Sequence, residues 1–275
     1  MTCVQLPEPD PDQELLLRAV ARADLDPHLV AWDDPEVSWE DFDLAIIRST
    51  WNYISQLDDF LTWIDRTSDV VPLWNPPGVI RWNCHKGYLH DATVAGLPAI
   101  PSVFPPVGSQ ESLAAVMDRT GWEDVVLKPA VGAGSFLTDR VRHDDLNRGE
   151  RLWRHLVDQR ETLVQPYLPS VEEHGERSLV WIDGEFTHAV RKEPRLGNAE
   201  ERTSAALEIA TDERQLGDRV LDWVGRDLLY ARVDLIRDQF GEPLIAEIEV
   251  VEPSLFLLQS PRALLRLVAA IANRT

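Results

Sequence analysis

Short apolar runs alternate with amphipathic segments in the first part of the chain. Residues 11–25 place apolar side chains at helical spacing behind acidic residues, which predicts an amphipathic helix. Residues 43–48 form an apolar run, read as a strand, that ends in Ser49-Thr50-Trp51-Asn52-Tyr53; residues 58–65 return to the helical period. This β/α alternation predicts a small parallel sheet, and ligands of such sheets gather at the carboxyl ends of strands. Arg48 and Tyr53 sit at such an end. Pro76-Pro77 marks a boundary.

Beyond it, residues 86–95 predict a helix running up to Gly96, and residues 125–127 a strand leading into Lys128-Pro129. A small, glycine-containing run follows, Ala130-Val131-Gly132-Ala133-Gly134-Ser135. Another strand, residues 162–165, meets Pro166-Tyr167-Leu168-Pro169. The last third holds two hairpins. Residues 178–182 and 185–190 flank Asp183-Gly184, a strong two-residue turn signal. Residues 230–236 and 244–249 flank a turn at 238–243. Between the hairpins, residues 195–204 are polar and aperiodic, which fits either a mobile lid or a solvated linker. Residues 261–272 predict a closing apolar helix.

Charge narrows the function. A formal net charge of -20 repels phosphate backbones and argues against a nucleic-acid partner. No apolar run is long enough for a membrane span, and the N-terminus does not read as a secretory signal, so a cytoplasmic location is expected. Two cysteines, Cys3 and Cys84, indicate no disulfide framework. Only Lys86, Lys128 and Lys192 among the 27 basic residues are lysines. Either they drifted in an arginine-rich chain, or each marks a place that needs a compact, mobile ammonium.

The second hairpin is the richest in chemistry. Residues two apart share a strand face, so Arg232 with Asp234, and Glu247 with Glu249, face one way while Val233, Leu235, Ala246 and Ile248 face the other. If the strands pair, three carboxylates converge. They either form a solvated face partly neutralised by Arg232, or hold a hard cation such as Mg²⁺. The glycine run 130–135 is either a tight turn or a place where backbone amides approach phosphates beside Lys128. The seven histidines lack metal-ligand spacing, and His188 reads as structural.

In order along residues 40–258, Asn75-Pro76-Pro77 with Trp82-Asn83 and Lys86, Lys128-Pro129 with Gly132-Ala133-Gly134-Ser135, Gln165-Pro166-Tyr167-Leu168 with Gly175-Glu176, and Arg232-Val233-Asp234 with Glu247-Ile248-Glu249 resemble the ATP-grasp superfamily. The resemblance implies an α/β fold: a small N-terminal parallel-sheet domain (1–76), a middle nucleotide-binding lobe (77–165) and a C-terminal lobe (166–275), the two lobes enclosing the nucleotide. It implies ATP and Mg²⁺ as cofactors. Lys86 and Lys128 would contact phosphates, with Gly132, Gly134 and Ser135 beside them. Gln165, Tyr167, Leu168 and Glu176 would line the nucleotide site, and Asp234, Glu247 and Glu249 would hold the metal. Glu249 stands where the superfamily commonly has Asn. Arg232 and Lys192 would be catalytic.

Arg48-Ser49-Thr50-Trp51-Asn52-Tyr53, His188-Ala189-Val190-Arg191-Lys192 and Glu249-Val250-Val251-Glu252-Pro253-Ser254-Leu255 look like the subgroup that includes a D-cycloserine-forming ligase beside glutathione synthetase- and RimK-like enzymes. The implied reaction activates a carboxylate as an acyl phosphate for attack by nitrogen, within an O-ureido-serine-like molecule or between two molecules. The rival expectations are a kinase that stops at the phosphorylated product and a non-catalytic nucleotide-binding module. Arg48, Tyr53, Arg202 and Ser254 are the expected substrate contacts. The expected partner is a small amino-acid-like carboxylate, with homo-oligomerisation left open.

Overall fold

The structure is a computed structural model describing residues 1–194 and 202–275. Helix α1 (Gln13–Ala21) lies within the predicted span. Leu16 and Val20 pack in a core with Leu267 and Ile271 near the C-terminus, and Ile46 and Trp74 of the N-terminal sheet pack against the same core. Strand β1 (Ala45–Ile46) pairs in parallel with β2 (Leu73–Trp74) across α2 (Leu57–Ser68). The regular strand is shorter than its apolar run, because Arg48 and Ser49 turn their amides to the carbonyl of Met1. Phe60, Trp63 and Ile64 on the apolar side of α2 close this small core with Trp32 and Ile47.

Helices α3 (Pro77–Asn83) and α4 (Tyr88–Val94) follow. The predicted helix at 86–95 starts later than expected, at Tyr88. Before it, the Lys86 amide donates to the Ala130 carbonyl (2.8 Å), the Lys86 carbonyl accepts the Leu89 amide (3.0 Å), and the Gly87 amide donates to Nδ1 of His85 (3.0 Å). Helix α5 (Leu113–Thr120) begins with Ser112 as N-cap and ends at Gly121, whose left-handed φ of 73° suits glycine. Strands β3 (Asp124–Pro129) and β4 (Asp139–Arg142), helix α6 (Leu146–Val157) and strand β5 (Thr162–Pro166) form an antiparallel sheet ordered β4-β3-β5. Leu113, Val125, Leu127 and Trp153 make its core.

The last lobe comprises α7 (Ser170–Glu173), β6 (Glu176–Ile182), β7 (Glu185–Lys192), α8 (Thr211–Val224), β8 (Tyr230–Arg237), β9 (Pro243–Glu249) and α9 (Pro261–Ala272). Both predicted hairpins are present, in an antiparallel sheet ordered β7-β6-β8-β9. Residues 98–103 stitch the two larger sheets together: the Ile100 amide donates to Ile245, and Val103 pairs with Val164.

The expected loop at 195–204 divides. Residues 195–201 lie outside the described residues. The rest is pinned to the sheet edge rather than free: Thr203 pairs antiparallel with Lys192, and the Ser204 amide donates to the Arg191 carbonyl (3.0 Å). Among the described residues, no helix is long and apolar enough to cross a membrane.

Candidate active site

Strand alternation gives the four-stranded sheet two unlike faces. One carries Leu179, Trp181, Val233, Leu235 and Ile248 into the core, where Leu216 and Val220 of α8 cover them. The other is apolar at one end, with Val180, Ile182, Val190 and Tyr230 packed against residues of α1 and α9. At its far end this face is charged. Glu176 lies opposite Lys192, Arg232 opposite Glu249, and Asp234 opposite Glu247. A register shift next to Asp234 and Leu235 accommodates one extra residue, Ala246, on β9.

Ligand oxygens of Asp234, Glu247 and Glu249 all lie within 4.8 Å of one another. Arg232 grips Asp234 through Nε and Nη2, each at 2.9 Å, and also pairs with Glu249. Nζ of Lys192 is 2.8 Å from Asp234 and pairs with Glu176. Oε1 of Glu247 receives Lys128 at 2.8 Å and Lys86 at 3.2 Å. The chain's three lysines therefore meet at one acidic cluster, which drift does not explain.

The charges answer one another. Burial opposes ionisation of Glu247, but Lys128 and Lys86 overcome it and hold the carboxyl well below the usual range. Arg232 and Lys192 do the same for the fully buried Asp234. Glu249 and Glu176 are pushed by burial up to about 7, their cationic neighbours offsetting only part of the cost. Burial would discharge Lys86 and Lys192, yet the facing carboxylates raise both above the ordinary lysine value.

A cleft of about 1540 Å³ opens over this cluster. Its walls include Lys86, Lys128, Gly132, Gly134, Ser135, Gln165, Tyr167, Leu168, Glu176 and Lys192, bringing together every residue expected at the nucleotide. Gly134 (φ 57°) and Ser135 (φ 61°) are both left-handed, in a tight turn linking β3 to β4. The Gln165 amide is fixed by Ser102 (3.0 Å), and the Tyr167 phenol donates to Glu172 (2.9 Å) under the guanidinium of Arg140. Three hard carboxylates at one point suit Mg²⁺, and mobile ammonium groups beside a glycine turn suit the phosphates of ATP.

The expected substrate contacts separate. Tyr53 and Ser254 line the cleft. Arg48 does not: it is buried behind the cleft, 5.2 Å from the centre of the Tyr230 ring, and donates to the Pro253 carbonyl at 3.0 Å. Arg202 also misses the cleft. Its neighbour Thr203 takes the inward position by pairing with the inward-facing Lys192, so alternation turns Arg202 outward, 3.9 Å from Glu193. Residues not singled out in advance frame the site. Asn75 donates to Tyr230 (2.8 Å) and Val250 (2.7 Å), and Asn83 holds both Ile248 and Val250. Glu252 lines the cleft beyond the three carboxylates. The only sequence signal for these residues was their place in the quoted segments.

Known proteins resemble this chain in sequence and in fold. The family described as "D-cycloserine synthetase DcsG, N-terminal domain" matches residues 1–75. The cycloserine biosynthesis protein DcsG of Streptomyces lavendulae is 31% identical over 96% of this chain and 94% of its own length. The crystal structure of D-cycloserine synthetase DcsG superposes with a TM-score of 0.88 at 30% identity, covering 99% of this chain and 97% of that one. A RimK domain ATP-grasp protein from Sphaerobacter thermophilus shares the fold, with a TM-score of 0.70 at 17% identity over 98% of this chain and 96% of that one. The chain belongs to the DcsG family of ATP-grasp ligases, enzymes that use ATP and Mg²⁺.

Proposed function

We propose that the chain uses ATP to activate the carboxylate of a small amino-acid-like substrate as an acyl phosphate, which a nitrogen of the same molecule attacks to close a ring. O-ureido-serine is the substrate that this reading favours. The meeting of Asp234, Glu247 and Glu249 with Lys86, Lys128, Lys192 and Arg232 in one cleft carries the reading, supported by the near full-length likeness to a cycloserine biosynthesis protein.

In this scheme Asp234, Glu247 and Glu249 hold Mg²⁺, which supplies charge neutralisation for phosphoryl transfer. Lys86 and Lys128, released from Glu247, turn to the nucleotide phosphates. The amides of residues 132–135 cover those phosphates, and residues 165–168 border the adenine. ATP lies between the lobes 77–165 and 166–275, while residues 1–76 supply the substrate end. Lys192 serves the transferred phosphoryl group. Arg232 offsets the negative charge that develops as nitrogen adds to the acyl carbon.

The test is incubation with ATP, Mg²⁺ and O-ureido-serine, following ADP, phosphate and product mass, with hydroxylamine to trap the acyl phosphate. ADP, phosphate and a ring-closed product are expected. Phosphate release that needs a separate amine would replace ring closure with intermolecular ligation. Absence of release with every carboxylate tried would sink the ligase reading of this site.

A further inference from the structure

Glu252 differs from the other carboxylates around the charged face. Glu176, Asp234, Glu247 and Glu249 each have a lysine or arginine nitrogen at ion-pair distance. Among the described residues, no such partner reaches Glu252. Yet its side chain lines the cleft with Tyr53, Asn52 and Ser254. Burial, with Glu249 nearby, pushes its carboxyl up to about 8, and the Tyr53 phenol and the more distant Lys86 offset only part of this. A carboxylate enclosed without a cation at contact distance is costly, and a cation that enters recovers part of that cost.

The backbone around Glu252 is fixed from several sides. Asn75 holds the carbonyl of Val250, and the Tyr230 hydroxyl that of Val251. Trp51 Nε1 donates to the carbonyl of Glu252 itself (3.1 Å), Arg48 to that of Pro253, and Arg232 to that of Ser254 (3.3 Å). Asp12 accepts the amides of Leu255 and Leu257. Such a segment holds a receptor group in place before any ligand arrives.

We propose that Glu252, steadied by the phenol of Tyr53, receives the protonated α-amine of the substrate, so that the enzyme selects α-amino acids over simple carboxylic acids. The proposal rests on the ligase reading above. Arg232 donates to the carbonyl of Ser254 (3.3 Å), two residues along the chain from Glu252. The amine receptor therefore lies on the same fixed segment that borders the group placed beside the acyl carbon. An ammonium has three donors, and the two oxygens of Glu252 with the phenol oxygen of Tyr53 offer three acceptors.

The experiment compares phosphate release by wild type, Glu252→Gln and Tyr53→Phe. The probes are O-ureido-serine and a panel of amino acids, each beside its counterpart with hydroxyl in place of the α-amine. Glu252→Gln is expected to raise KM for the amine-bearing substrate about 10- to 100-fold, the size of a lost charge-assisted hydrogen bond. It should leave KM for the hydroxyl counterpart unchanged and binding of Mg²⁺ with an ATP analogue intact. Tyr53→Phe should raise the same KM by a smaller factor. Wild-type turnover of hydroxyl counterparts as efficient as that of amino acids overturns the proposal and leaves the ligase reading standing. So does a Glu252→Gln enzyme that loses kcat equally for both series at unchanged KM, which would mark the residue as a base. Wild type that releases phosphate with neither series overturns both readings.

Discussion

The guanidinium of Arg48 donates to the carbonyl of Pro253 at 3.0 Å, across 205 positions of chain. This contact ties the end of the first parallel strand to the segment that carries Glu252 and Ser254. It also explains an arginine buried behind the cleft instead of lining it. Arg48→Met should leave the Pro253 carbonyl unsatisfied and remove the cation beside Asp12, costing roughly 2–4 kcal/mol of stability. Thermal unfolding should register that loss. At temperatures where the variant stays folded, KM for the carboxylate substrate should rise while nucleotide affinity holds. An equal fall in both affinities would mean that Arg48 supports the whole cleft.

Lys86 and Lys128 share one oxygen of Glu247. Either lysine alone can still pair with that carboxylate, so Lys86→Ala and Lys128→Ala should each be mildly destabilising. The double variant strands a buried charge, and its loss of stability should exceed the sum of the two by about 1 kcal/mol or more. Each single change should weaken binding of Mg²⁺ with an ATP analogue by roughly tenfold or more, since it removes a point charge from the phosphates. Calorimetric binding and unfolding of the four proteins check both claims. Unchanged nucleotide affinity in both single variants would place the nucleotide elsewhere.

Glu247→Gln keeps the shape and removes the charge. The metal loses a ligand charge, so the Mg²⁺ concentration needed for half-maximal turnover should rise at least about tenfold. The same change frees Lys86 and Lys128 from their carboxylate, so the affinity for ATP without Mg²⁺ should rise, not fall. Wild-type turnover at limiting Mg²⁺ would remove Glu247 from the metal site.

The charged face was legible because its rule is local. Alternation over Arg232-Val233-Asp234-Leu235 and Glu247-Ile248-Glu249 fixes which of these side chains share a face, although the register shift at Ala246 breaks the pattern just before Glu247. The three lysines were legible as outliers in an arginine-rich chain, and Asp183-Gly184 as a hairpin turn. What escaped depends on pairings distant in sequence. Nothing near Arg48 announces Pro253. Whether Arg202 or Thr203 faces the cleft is decided by which of them pairs with Lys192. The Lys86 amide just before helix α4 is held by the carbonyl of Ala130, a pairing that nothing near Lys86 in the sequence announces. The role proposed for Glu252 rests on the lack, among the described residues, of a cation at ion-pair distance, which only the assembled cleft displays.

His188 supplies a pH test. It is buried on β7, and burial pushes its imidazole down to about 4. The unfolded chain binds this proton near the ordinary value of about 6.5, so the contribution of His188 to stability is full above that pH and is lost as pH falls toward 4. The loss amounts to about 3 kcal/mol. Glu176 and Glu249, raised to about 7, act in the opposite sense over the same window, because the folded state binds their protons first. The informative quantity is therefore the difference between wild type and His188→Gln. Denaturant unfolding between pH 7 and pH 4 should show wild type losing stability relative to the variant. Parallel curves would show that His188 titrates normally.

Gly175 offers the sharpest backbone test. It precedes β6 with φ 71°, a region that costs a side-chain-bearing residue about 1 kcal/mol or more. A Cβ there would also meet the carbonyl oxygen of Lys192 at 2.7 Å and Cγ of Arg191 at 2.6 Å. The arginine can move, but the carbonyl belongs to the paired strand β7 and cannot yield without shifting Lys192. That lysine joins Glu176 to Asp234, so the displacement reaches the charged face directly. Gly175→Ala should destabilise the fold by roughly 2–4 kcal/mol and lower kcat more than it weakens nucleotide binding, which draws on Lys86 and Lys128 instead. Gly225, also at positive φ (102°) but with open space beyond its chain neighbours where a Cβ would sit, is the control. Gly225→Ala should carry only the backbone penalty and leave kcat intact. Equal effects of the two substitutions on kcat would show that the contact between Gly175 and Lys192 does not position the lysine.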